Sequence, residues 1–282
     1  MSVPREHGQI DVDPLSGRLV VIAPNRRRRP GAARQAGDVP TPDEIASCPF
    51  CAGREDRTPP ELFRVERDSG WLVRVVPNLY PGLEHQEVVV HSPRHVRTFA
   101  ELNDDEIAAV AAAWTARRET ATDEGFGYLH AFVNEGTDAG SSQPHSHSQL
   151  AWLHEPPPER IREAPDTAMR LLDDEHLLVS ERNGVRSVVH RYGRLPYEAI
   201  IGSPDAEFDL DDALRLLREF VQRLRAVEGA VPWNAWLHDD HLEVLPRLTV
   251  LAGLELGAGI YVNTMAPEDA AEALRDGSAL GF

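Results

Sequence analysis

The chain carries one structural unit twice, and this repeat constrains its fold more than any other feature. Glu87-Val-Val-Val-His-Ser-Pro93 recurs as Glu198-Ala-Ile-Ile-Gly-Ser-Pro204, with Glu and Ser five positions apart in both. An acidic stretch follows each, Phe99-Ala-Glu-Leu-Asn-Asp-Asp105 and Phe208-Asp-Leu-Asp-Asp212. Leu102, Ile107 and Val110 then recur at helical spacing, as do Leu214, Leu217, Val221 and Leu224. Helices are predicted to about Thr122 and about Val227, with acidic starts that suit the helix dipole. A strand pair follows each helix: Tyr128–Asn134 with His147–Leu153, and Asn234–His238 with Leu242–Arg247. The pattern predicts an α+β chain of two antiparallel sheets with flanking helices. Pro156-Pro-Pro158 interrupts strand ladders and suits a linker. It divides the chain into residues 1–158 and 159–282, with a helix over Glu159–Asp173 opening the second half. Trp233 and Trp236 read as core.

The densest chemistry lies in Asn134-Glu-Gly-Thr-Asp-Ala-Gly-Ser-Ser-Gln-Pro-His-Ser-His-Ser-Gln149. On an extended segment residues i and i+2 share a face, so His145 and His147 point the same way and Gln149 continues the row. Gly136, Gly140, Ser141 and Ser142 offer backbone N–H groups and hydroxyls, the means by which proteins hold phosphate oxygens. A histidine beside such a cradle can act as a nucleophile at phosphorus. The bland alternative is a polar loop entering a strand, with both imidazoles solvated. The second half has no intact counterpart of this row near His241-Leu-Glu243, so the first half reads as catalytic and the second as support.

Cys48-Pro-Phe-Cys51 contains both of the chain's 2 cysteines. They are too few for a secreted disulfide framework. A redox pair, half of a zinc site, and a reduced unliganded pair remain. The preceding Pro40–Ser47 stretch reads as a Pro/Asp/Glu-rich loop, which fits a zinc knuckle better than a redox motif. Zinc takes four ligands, and histidine is the usual complement. Among 12 histidines the best candidates are His95, just after the strand Glu87–Val90, and His145. Such a Cys2His2 set would be closed and structural, and would leave His147 free.

Together these residues resemble the galactose-1-phosphate uridylyltransferases, a branch of the histidine-triad superfamily. The resemblance covers nearly the whole chain. It includes Asp13-Pro-Leu-Ser-Gly-Arg18, the basic run Arg26–Pro30, the Cys-Pro-Phe-Cys knuckle, Pro77-Asn-Leu-Tyr-Pro81 and Glu87–His95. It continues through the Asn134–Gln149 run to Leu245-Pro-Arg247 and Ala252–Asn263. The closing Gly259-Ile-Tyr-Val-Asn263 looks most like the subgroup that contains ADP-sugar phosphorylases. The resemblance implies a duplicated histidine-triad-like fold, with the second copy degenerate. It implies that His147 is the nucleophile and that Gln149 and Ser142 hold the phosphate, with Gly140 and Ser141 beside them. It gives Asn134 and Asn78 to nucleotide contacts and Arg26 and Arg29 to the basic ligand-binding segment. It gives a structural Zn2+ to Cys48, Cys51, His95 and His145.

Four departures from the family pattern stand out. Ser146 replaces the proline usual between the two histidines, Gln143 replaces an asparagine, and Leu79 replaces an aspartate. Thr249 and Leu254 stand where enterobacterial-type members carry a lysine and a tyrosine that reach the hexose. Some members also hold a second, structural iron. Glu163 and His241 match two of its ligands, but Glu243 stands where another histidine would be.

A net charge of −17 argues against a nucleic-acid partner, whose footprint on the protein would be basic. Arg26–Arg29 is the densest basic cluster, suited to anionic ligands. No apolar run is long enough to span a membrane, and the polar N-terminus lacks a signal-peptide core, so a cytoplasmic protein is expected. Family members are often dimeric, which allows a homodimer. The expected reaction is ping-pong transfer of UMP from UDP-glucose to galactose 1-phosphate through a nucleotidyl-histidine. The alternatives are an ADP-sugar phosphorylase or hydrolase on the same intermediate, and a non-catalytic zinc-stabilised binding protein.

Overall fold

The computed structural model describes residues 10–23, 39–68, 70–163, 167–205 and 208–277. The elements run β1 (Ile10–Val12), β2 (Leu19–Ile22), α1 (Pro42–Ser47), β3 (Phe63–Arg67), β4 (Gly70–Pro77), β5 (His85–Val90), α2 (Asp104–Asp123), β6 (Tyr128–Glu135) and β7 (His147–Leu153). They continue α3 (Pro158–Arg162), α4 (Thr167–Leu172), β8 (Leu178–Arg182), β9 (Val185–Val189), β10 (Ala199–Gly202), α5 (Leu210–Glu228), β11 (Trp233–Leu237), β12 (His241–Pro246), α6 (Gly253–Ala258), β13 (Ile260–Asn263) and α7 (Pro267–Asp276).

Ten strands form one antiparallel sheet in the order β3-β4-β5-β7-β6-β11-β12-β10-β9-β8. The second five repeat the first five in reverse order, so the duplication is visible in the topology. The two half-sheets meet edge to edge at β6 and β11, with Asn134 opposite Asn234. That pairing removes an open edge from each half. A second, three-stranded sheet pairs β2 antiparallel with β1 and parallel with β13.

Both long helices lie on one face of the large sheet and pack against each other. α2 starts where Asn103 and Glu106 cap each other: Glu106 N–H donates to Asn103 Oδ1 at 3.0 Å, and Asn103 N–H to Glu106 Oε2 at 2.8 Å. α5 is capped by Asp209 and stops at Gly229, whose φ is +78°. Along β7 the alternation sends Ser148, Leu150 and Trp152 to the helix side, where Trp114 Nε1–H donates to Ser148 Oγ at 2.9 Å. His147 and Gln149 therefore share the opposite face.

Glu87 and Arg117 form a buried, bidentate pair at 2.6 and 2.9 Å, and the guanidinium also lies over Trp152 at 5.1 Å. Removing one partner strands the other charge. Arg117→Met is expected to cost about 3–5 kcal/mol, read as a lower urea midpoint. A loss under about 1 kcal/mol would mean that water reaches Glu87 and that the pair is not structural.

Two expectations are corrected. The helix drawn over Glu159–Asp173 is two short helices, α3 and α4. The chain leaves helical geometry at Glu163 (ψ 127°), two positions before Pro165, which cannot sit inside a helix without losing a hydrogen bond. The Pro40–Ser47 loop contains the helical turn α1. Thr41 Oγ1 accepts Glu44 N–H at 3.1 Å, Pro42 starts the turn, and Asp43 and Glu44 suit its positive end. Trp233 is fully buried as expected, whereas Trp236 is half-buried, with Arg194 over its ring at 5.2 Å. Among the described residues no helix is long and apolar enough to cross a membrane.

Candidate active site and metal centre

Strand β7 enters the site at His147 and is preceded by the loop 136–146. The loop closes on itself at two left-handed glycines, Gly136 (φ +87°) and Gly140 (φ +92°). Gly140 N–H donates to Thr137 O at 2.9 Å and Ser141 N–H to Gly136 O at 3.1 Å. The Ser141 hydroxyl donates to Gln143 O at 2.8 Å, so Ser141 braces the loop with both of its hydrogens. Ser142 is exposed at the loop surface. The second half holds the loop from outside. Asn234 Nδ2 donates to Ala139 O and to Asn134 Oδ1, both at 2.8 Å, and is itself held by Arg247 at 3.1 Å. A cleft of about 330 Å3 opens here, lined by Asn134, Ser142, His147, Arg97 and Arg225 among others.

His147 is 6 % exposed, and its Nδ1–H donates to the His145 carbonyl at 2.8 Å. That bond sets the tautomer and leaves a lone pair on Nε2. Burial pulls the His147 pKa below the usual histidine value, so the ring is neutral at neutral pH. Neutral, oriented and lone-pair-bearing, it has what a nitrogen nucleophile requires.

Behind it, Cys48, Cys51, His95 and His145 bring four donor atoms within 4.8 Å of one another. The Cys48 sulfur lies 3.4 Å and the Cys51 sulfur 3.8 Å from His145 Nδ1; the Cys51 sulfur lies 3.3 Å from His95 Nδ1. Tetrahedral zinc with bonds of about 2.0–2.3 Å needs donors about 3.3–3.8 Å apart. The far side of each imidazole fits as well. His145 Nε2 is 3.0 Å from the Ser92 carbonyl and His95 Nε2 is 2.9 Å from Glu44 Oε1, so each Nε2–H is donated outward and each Nδ1 lone pair faces the sulfurs. Burial, then the adjacent Cys48, pushes the Cys51 thiol up to about 11, a state that a bound cation would reverse. These residues can hold a metal such as zinc. Phe50, between the cysteines, lies 5.6 Å from the His147 ring, so the cysteine knuckle packs directly against that histidine.

A second cluster joins Glu163, His238, His241 and Glu243, again with donor atoms within 4.8 Å of one another. Glu163 and His241 were legible; His238 was missed, because it sits in the turn after β11, three positions from its partner. Here the carboxylates already face cations. His238 Nδ1 is 2.7 Å from Glu163 Oε1, and Arg194 reaches Glu243 Oε2 at 2.8 Å. Burial opposes charge on His238, but the two carboxylates outweigh it and carry its pKa up to about 9.

Of the other expected site residues, Asn134 sits on the seam strand. Asn78 lies beside Gln149, with its Nδ2 3.4 Å from Gln149 Oε1. Arg26 and Arg29 lie outside the described residues. Asn234 and Gln86 belong to the site's support and were missed; Gln86 Nε2 donates to Gln149 Oε1 at 2.7 Å. The period-2 row on β5 was a signal for Gln86, but only the strand register shows that it faces Gln149.

A sheet that presents a buried, tautomer-fixed histidine after a glycine loop is the arrangement to set beside known proteins. Residues 85–156 match the family model described as galactose-1-phosphate uridyl transferase, N-terminal domain. ADP-glucose phosphorylase of Arabidopsis thaliana is 26% identical, over 98% of this chain and 94% of that one. Galactose-1-phosphate uridylyltransferase of Kluyveromyces lactis is 24% identical, over 84% of this chain and 79% of its own. The crystal structure of the Arabidopsis ADP-glucose phosphorylase with bound ADP-glucose superposes with a TM-score of 0.82 at 27% identity, covering 96% of this chain and 99% of that one. The chain is thus similar to the galactose-1-phosphate uridylyltransferases and, over nearly its whole length, to ADP-glucose phosphorylase.

Proposed function

We propose that the protein transfers a nucleotidyl group from a nucleotide sugar to a phosphate-bearing acceptor through a covalent intermediate on His147. The observation that carries this is the His147 Nδ1–H bond to the His145 carbonyl, which presents the Nε2 lone pair. In the first step Nε2 attacks the α-phosphorus. A P–N bond forms, the P–O bond to the sugar phosphate breaks, and sugar 1-phosphate leaves with the electron pair. Gln149, the Ser142 hydroxyl and loop N–H groups face the charge developing on the phosphorane oxygens. In the second step an acceptor phosphate oxygen attacks, the P–N bond breaks and the lone pair returns to Nε2. Zinc at Cys48, Cys51, His95 and His145 would hold the loop's base in place. On this reading residues 1–158 form the catalytic half, and residues 159–282 form the degenerate supporting half.

Two donor–acceptor pairs suit this chemistry. One is UDP-glucose with galactose 1-phosphate, supported by the family match over residues 85–156. The other is ADP-glucose with inorganic phosphate, supported by the similarity to ADP-glucose phosphorylase across nearly the whole chain. Intact mass after incubation with UDP-glucose or ADP-glucose, without acceptor, separates them. A UMP adduct mapping to His147 selects the first and an AMP adduct the second. No adduct with either, on folded zinc-loaded protein, would overturn the covalent route for these donors.

A further inference from the structure

We propose that Gln86 is a positioning residue for this transfer: it fixes the Gln149 amide with its oxygen turned inward and its NH2 turned towards the site, so that Gln149 meets phosphate as a donor. This rests on the reading of His147 as the nucleophile.

The two ends of a carboxamide are nearly alike in shape, so its orientation comes from its partners. A backbone N–H can only donate. Gly82 N–H donates to Gln86 Oε1 at 2.9 Å, which makes the other end of Gln86 the NH2. That NH2 lies 2.7 Å from Gln149 and needs an acceptor there, which is Gln149 Oε1. An independent chain ends on the same atom. Tyr80 N–H donates to Asn78 Oδ1 at 3.0 Å, and Asn78 Nδ2 lies 3.4 Å from Gln149 Oε1. Both chains start in the turn between β4 and β5, which Asn78 N–H fastens to the Gln86 carbonyl at 2.8 Å.

The sheet register supplies the geometry. Val88 pairs with Gln149 across β5 and β7, and Gln86 is its neighbour two positions along the same face. Among the described residues no protein acceptor takes Gln149 Nε2, and Gln149 follows His147 on the same row of β7. An ionised phosphate oxygen only accepts. Turned the other way, the amide would set a carbonyl against the charge that grows in the transition state.

Gln86→Glu tests this. The introduced carboxylate keeps the size of the side chain and can still accept Gly82 N–H. It cannot donate to Gln149, so it draws the Gln149 NH2 inward. The rate of His147 nucleotidylation is expected to fall roughly 10- to 100-fold with thermal midpoint unchanged, and Gln86→Ala, which only frees the amide, should fall less. The same change made in a Gln149→Ala background should cost almost nothing further, because the effect runs through Gln149. An undiminished drop in that background would assign it to the added charge and overturn the proposal. Neutron diffraction of the perdeuterated wild type reads the amide directly, since ND2 and O differ. The Gln86 ND2 on the Gln149 oxygen supports the orientation, and the reverse overturns it. That readout stands even if the wild type forms no adduct, an outcome that would count against the transfer reading alone.

Discussion

Replacing His147 with alanine is expected to abolish the nucleotide adduct and to lower turnover by at least ~10³-fold, because on the proposed route the bond that splits the reaction into two steps has nowhere to form. Among the described residues, the two nearby rings, His145 and His91, are already engaged. His145 directs Nδ1 at the two cysteine sulfurs and Nε2 at the Ser92 carbonyl. His91 is fully buried behind the loop, with Nδ1 3.0 Å from Ser146 Oγ. The change should leave zinc content at the wild-type level, since the four clustered side chains that could hold the metal are others. Gln149→Ala provides the comparison. It removes one donor to the phosphorane and is expected to slow adduct formation by about 10²-fold without preventing it. Measuring adduct by intact mass and metal by emission spectroscopy on the same samples separates chemistry from folding. An adduct on the His147→Ala protein at the wild-type rate would place the nucleophile elsewhere.

Cys48→Ser is expected to act the other way, on metal and fold first and on chemistry second. Cys48 is 4 % and Cys51 7 % exposed, and they pack with Phe50, Trp71 and Val90 in a small cluster separate from the main core. A cluster of five residues buries little apolar surface, so the lobe depends on its cross-link. Losing one sulfur is expected to drop bound zinc below a tenth of wild type. The thermal midpoint should fall by about 6–20 °C, corresponding to roughly 3–5 kcal/mol in a chain of this size. Adduct formation should fall too, because Phe50 lies 5.9 Å from the His145 ring and 5.6 Å from the His147 ring. Chelation of the wild type should reproduce the midpoint shift. A serine variant with full zinc content and an unmoved midpoint would remove Cys48 from the ligand set.

The elements most legible in the sequence were those whose signals are local. His147–Leu153 is a strand over the span its alternation marks, and the helix expected to about Thr122 ends at Asp123. The helix expected to about Val227 ends at Glu228, one position before the glycine that stops it. Residue spacing also picked out the four side chains that the fold gathers within 4.8 Å of one another, because thiolates and imidazoles in a chain with 2 cysteines leave few ways to complete a four-ligand set. The helical turn at α1 was missed because its signal is a single cap, Thr41, followed by proline. The split between α3 and α4 was missed because the acidic and basic residues around Pro165 keep a helical composition.

By itself, then, the sequence determined the duplicated strand-and-helix pattern, the His-x-His-x-Gln row and the cysteine knuckle. Each follows from side-chain period or ligand chemistry within a short window. Only the tertiary structure decided that the two half-sheets share the β6–β11 seam, where Asn234 from the second half grips Asn134 and the loop carbonyl of Ala139. Only it decided which way the Gln149 amide faces, since that depends on two backbone N–H groups in a turn nearly 70 residues away in sequence. Strand pairing partners and amide orientations are set by groups far apart in the chain. Local preference is silent about them until register and packing bring those groups together.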